Sequence, residues 1–70
     1  PQNVGFKNGL AISYANQGVF YQEKRNDIQT AKTYFQKAEQ LWAELVIASP
    51  QFTEFKKNLE QVRGYIASLT

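Results

Sequence analysis

An all-α fold of three helices is what this sequence predicts, and three observations predict it. Apolar residues recur at steps of three and four along three consecutive segments, where a strand would show alternation. Punctuation is confined to the polar stretch Lys24-Arg25-Asn26-Asp27 and to Ser49-Pro50, with Pro50 the only interior proline. The composition, 43% hydrophobic and 14% aromatic, is that of a chain that folds. With 70 residues there is room for a single unit, read here as spanning 1–70. A unit of this size buries only about 60% of the surface of its unfolded chain, so its stability is marginal without a partner.

The first helix is expected over about 4–24. Leu10, Tyr14, Gln17 and Tyr21 form one stripe, in which Gln17 is a polar interruption. Ala11, Ala15 and Gly18 are small enough for a neighbouring helix to come close, and Ile12, Val19 and Phe20 make the segment apolar on more than one side. The second helix, expected over about 28–48, is the most regular: Ile28, Ala31, Phe35, Ala38, Trp42 and Leu45 line one face. Tyr34 and Leu41 widen that face, and Lys32, Gln36, Lys37, Glu39, Gln40 and Glu44 occupy the other side. Asn26 or Asp27 can cap its first amides, and Ser49, preceding proline, is biased out of the helix.

The third helix is expected over about 51–69, with Phe52, Phe55, Leu59, Val62, Ile66 and Leu69 as its stripe. Ser49 is the expected N-cap, with Pro50 in the first turn. Gly64 inside this helix costs about 1 kcal/mol relative to alanine, which would be explained by a close backbone approach.

Residues of the first two helices resemble the tetratricopeptide repeat, whose pattern is W-x2-L-G-x2-Y followed by A-x3-F. The chain carries Tyr14-x2-Gln17-Gly18-x2-Tyr21 and then Ala31-x3-Phe35-x2-Ala38, with Trp42 continuing the face. Gln17 stands where the family has leucine, the turn is about one residue longer, and the closing proline comes roughly two turns late at Pro50. The resemblance implies an antiparallel helix–turn–helix with a third, capping helix packed on it, a fragment of an α-solenoid from a longer array. It also implies that Gly18 and Ala31 mark a close crossing, with Tyr21 and Phe35 filling the space beside it. The family binds peptides along a groove lined by the first helix of each repeat. The corresponding positions here are Ile12, Ala15, Asn16, Val19, Gln22 and Glu23, of which only Asn16 is of the type that clamps a terminal carboxylate.

Chemistry is limited by what the chain lacks. It has no cysteine and no histidine, so thiolate nucleophiles, iron–sulfur clusters and the usual imidazole base are excluded. No metal or other cofactor is expected. Glu54 with Glu60, and Glu39 with Glu44, are not spaced to pair carboxylates on one helix face, and the serines have no histidine to activate them. No catalytic residue is assigned and no enzyme is expected. No apolar run approaches the roughly 20 residues of a membrane span.

Eight Lys and Arg against six Asp and Glu leave a net charge of +2, and acidic residues interrupt each basic cluster, which argues against a nucleic-acid footprint. The sequence is therefore read as a non-enzymatic module for binding protein or peptide, and for binding copies of itself through its apolar faces. The alternatives are a small basic three-helix nucleic-acid-binding domain and a regulatory helical domain of a larger enzyme. Nothing in the sequence fixes a compartment, and the cytoplasm is the default expectation.

Overall fold

Three helices account for the architecture of the computed structural model, which describes residues 3–69. They are α1 (Val4–Glu23), α2 (Ile28–Ala48) and α3 (Thr53–Ser68), and no strand is present among the described residues. α1 packs against α2 and α2 against α3. Cross-helix pairs show both neighbours to be antiparallel. Lys7 meets Glu44 near one end of the first pair, while Tyr21 stacks on Tyr34 near the other. In the second pair Glu39 meets Arg63 and Phe35 meets Tyr65.

α2 is the central element because its apolar face is wide enough to serve two partners. Of the nine buried apolar residues it supplies five, Ala31, Phe35, Ala38, Trp42 and Leu45. α1 adds Ala11, and α3 adds Phe55, Leu59 and Val62. α1 and α2 approach closely at Gly18. A Cβ placed on Gly18 would lie 2.6 Å from Phe35 Cε1 and 2.7 Å from Cδ1, so a side chain there would force the ring to shift. The ring of Phe35, itself fully buried, thus lies directly on the backbone of α1 and does not stand beside the crossing.

Each helix end has a local cause. Asn3 caps α1, its Oδ1 accepting the Phe6 N–H at 2.8 Å. α1 ends at Glu23, and the Asp27 N–H reaches back to the Tyr21 carbonyl at 2.9 Å. That turn puts Asn26 at φ 51°, a left-handed conformation that asparagine tolerates better than most residues. Between the two candidate caps for α2 the structure selects Asp27. Its Oδ1 accepts the Thr30 N–H at 3.1 Å and its Oδ2 accepts the Thr30 hydroxyl at 2.8 Å. The Thr30 hydroxyl, then the Thr30 amide, with Arg25 adding to them against a partial burial, hold the Asp27 carboxyl below its ordinary 3.8.

Four expectations from the sequence need correcting. α3 starts at Thr53 and not near 51, because Ser49 to Phe52 are consumed by a β-turn with Pro50 at its second position, closed by Phe52 N–H to the Ser49 carbonyl at 3.1 Å. Ser49 is accordingly the buried C-cap of α2 and not the N-cap of α3, a place taken by Phe52 without a side-chain cap. Ile28 and Phe52 are 38% and 44% exposed, since each stands at the very start of its helix, at an end of the bundle where no neighbour covers it. Gly64 makes no close backbone approach: it is exposed, and a Cβ there would meet nothing within 4 Å.

The two helical glycines should therefore respond to the same substitution with opposite signs. Gly64→Ala is expected to stabilise by about 0.5–1 kcal/mol through helix propensity alone. Gly18→Ala is expected to destabilise by about 1–3 kcal/mol through overpacking against Phe35. Urea denaturation of both variants checks this, and a stabilising Gly18→Ala would remove the close crossing from the account.

The Asp27 cap makes a prediction in pH. Because its folded value is depressed, its contribution is fully present above 3.8 and is lost as pH falls through the lower folded value. Thermal melts between about pH 5 and pH 2 should show the parent losing more melting temperature than Asp27→Asn, which keeps an acceptor but does not titrate. Parallel curves would contradict the cap.

Candidate functional site

α1 and α3 flank α2 and touch one another only marginally, and the space between them is an open groove of about 240 Å³. Ile12, Ala15, Asn16 and Val19 form its α1 wall. They share a side because steps of three and four keep residues on one helix face, and that side is turned a quarter-circle from Ala11 and Gly18, which meet α2. Trp42 of α2 and Val62 of α3 contribute apolar surface at the bottom, and Asn58, Gln61 and Tyr65 of α3 complete the opposite wall.

Trp42 is 4% exposed and fixed in place, its Nε1–H donating to Asn8 Oδ1 at 2.9 Å. That bond satisfies the one polar atom of a side chain otherwise committed to the core. On the α3 wall Gln61 Nε2 donates to Tyr65 Oη at 3.1 Å, so the amide and the phenol are held relative to one another. No Lys, Arg, Asp or Glu lines the groove. Its chemistry is apolar surface plus three carboxamides, Asn16 on one side and Asn58 and Gln61 on the other. Carboxamides carry donors and acceptors together, and so does a peptide backbone.

Of the five candidate interface residues, Ile12, Ala15, Asn16 and Val19 come together in the groove, Ile12 and Asn16 exposed and Ala15 and Val19 half-buried against the core. Gln22 lies outside its lining, half-buried on the side of α1 that looks towards α2. The repeat-like residues are packing residues. Ala31 and Ala38 are fully buried, Phe35 covers Gly18, and the ring of Tyr21 stacks on Tyr34 at 5.5 Å and 12°. Tyr14 is tilted against Tyr34 at 6.1 Å, and the Lys37 ammonium sits over both rings at 5.5 and 5.8 Å. Gln17 is half-buried at the edge of α1, outside the groove.

The α3 wall was missed in the sequence. Asn58, Gln61 and Tyr65 step three and four along one flank of the Phe55–Leu59–Val62 stripe, and that polar flank is the signal that could have found them. Among the described residues no group of acidic side chains is placed to hold a metal ion, and no helix is long and apolar enough to cross a membrane.

Compared with protein-family models, with curated proteins and with solved structures, the chain has no match in any of the three. The class that the fold defines is a small all-α protein of three antiparallel helices with an uncharged groove on one face.

Removing the anchor of Trp42 tests the floor of the site. Asn8→Ala leaves a buried indole N–H without its acceptor, which is expected to cost about 1–3 kcal/mol. Because Trp42 is the only tryptophan, its emission should shift in the same variant. Unchanged stability and emission would show that the Asn8 contact carries no weight.

Proposed function

We propose that this chain is a non-enzymatic protein–protein interaction module of the tetratricopeptide type. Its groove takes an extended, uncharged peptide segment, and its uncovered apolar helix faces make it self-associating. One observation carries the reading. Four residues placed on the binding side by the repeat resemblance, Ile12, Ala15, Asn16 and Val19, face Asn58 and Gln61 across an open groove. An apolar floor selects apolar side chains, and amides on both walls can pair with the ligand's main chain. A charged segment would lose its hydration there with no counter-charge on the walls to compensate.

A random-peptide display selection tests this directly. Selected peptides should be poor in Asp, Glu, Lys and Arg, should change Trp42 emission on binding, and should lose affinity for Ile12→Glu at least tenfold while the variant keeps its helicity. Enrichment of strongly charged peptides, or binding that ignores Ile12→Glu, would overturn the groove assignment.

A further inference from the structure

We propose that the flank of the α1/α2 hairpin opposite the first groove is a second docking site. Its occupant is an amphipathic helix of a partner protein that presents a carboxylate beside leucine-like side chains. This site is separate from the uncharged groove between α1 and α3 and differs from it in both charge and the ligand conformation it accepts.

The site is an open trough of about 240 Å³ lined by Leu10 and Tyr14 of α1 and by Lys37, Gln40, Leu41 and Glu44 of α2. Leu10 and Tyr14 are four residues apart and lie on one side of the seam that Ala11 and Gly18 make with α2. Ile12, Ala15, Asn16 and Val19 lie on the other side of that seam, in the first groove. Lys37, Leu41 and Glu44 step four and three along a single face of α2. Leu10, Tyr14 and Leu41 are half-buried, and the apolar floor they make is bounded by an exposed lysine and an exposed glutamate.

Charge gives the partner its chemistry. At one end Glu44 already has a cation, with Lys7 Nζ 3.3 Å from its Oε1, so that end is balanced. At the other end the Lys37 ammonium sits 5.5 Å from the centre of the Tyr14 ring and 5.8 Å from that of Tyr34. Among the described residues neither ion pair involves Lys37. The rings hold the ammonium in place without cancelling its charge. A carboxylate arriving there makes a charge-assisted contact with a cation that is already positioned, whereas a second ammonium is repelled.

The same lining selects the partner's conformation. The first groove has carboxamides on both walls that can pair with an extended main chain. The trough has a single carboxamide, Gln40, and an extended segment would set unpaired amides and carbonyls against Leu10 and Leu41. A helix satisfies those groups internally and can lie between α1 and α2 as a third element. Lys37 and Leu41 are one turn apart, so the matching pair on the partner is a carboxylate and a leucine-like side chain three or four positions apart.

A display library of helical peptides with one randomised face, selected against Ile12→Glu so that the first groove is disabled, tests this. Selected peptides should carry Asp or Glu three or four positions from Leu, Ile or Phe. Titrating them should shift the methyl resonances of Leu10 and Leu41 and leave Trp42 emission unchanged, because Trp42 lines the first groove and not the trough. Lys37→Glu should weaken binding roughly tenfold or more, and a peptide with Lys in place of its acidic residue should regain affinity for that variant. Lys37→Gln should also weaken binding but should not accept the Lys peptide. A twin with a central proline should not bind. An empty selection, peptides without an acidic residue, affinity indifferent to Lys37→Glu, or peptides that change Trp42 emission instead would overturn the site. Binding of the proline twin would overturn the helical partner, and displacement of the peptide by the chain itself would give the trough to a second copy. None of these results bears on the first groove, which the selection against the parent chain decides separately.

Discussion

The contact between the ring of Phe35 and the backbone at Gly18 is what the other features of this molecule depend on. A glycine in mid-helix is unfavourable by about 1 kcal/mol against alanine, and here the missing Cβ is the space the ring occupies. With Phe35 seated on α1, the small residues Ala11, Ala31 and Ala38 are fully buried along the same seam. At its edge Tyr21 stacks on Tyr34, Tyr14 is tilted against the same ring, and Lys37 closes over Tyr14 and Tyr34. A close seam also keeps the hairpin thin, so that α2 still has apolar surface free for α3.

That remaining surface decides the functional geometry. Phe55, Leu59 and Val62 bind α3 to the far flank of α2, and Phe35 reaches Tyr65 across the same side at 5.1 Å. With α2 between its two neighbours, α1 and α3 leave a groove whose lining includes Trp42. The slab that results measures 36 × 19 × 13 Å, too thin to cover the outward faces of its flanking helices. α3 meets solvent with charged residues, whereas α1 meets it with phenylalanine.

Much of this could be read in the residues, and the rest could not for identifiable reasons. The stripe from Ala31 to Leu45 gave α2 and most of the core, because a single face with one period leaves little choice of burial. Tyr14, Gly18, Tyr21, Ala31 and Phe35 mark the crossing through the repeat resemblance, which sets Phe35 beside it, whereas the ring lies upon Gly18. Ser49-Pro50 suited a helix start as well as a turn. The choice was made by the length of chain needed to reverse direction between α2 and α3, a tertiary demand that no local pattern carries. The propensity cost of Gly64 suggests a close backbone approach, yet a glycine on an exposed face has no neighbour to approach. The α1 wall of the groove was legible, whereas the α3 wall depends on how far α3 is held from α1. Asn8 lies 34 positions from Trp42, and its hydrogen bond was outside the reach of any periodicity.

The crossing itself can be observed without altering the protein. In a nuclear Overhauser spectrum of the unmodified chain, the Gly18 α-protons should show strong cross-peaks to the Phe35 ring protons. They should also resonate away from the ordinary glycine range, because they lie against the aromatic ring. Gly18 α-protons at unperturbed shifts, with no cross-peak to Phe35, would contradict the packing from which the hairpin, the groove and the open face of α1 have been derived.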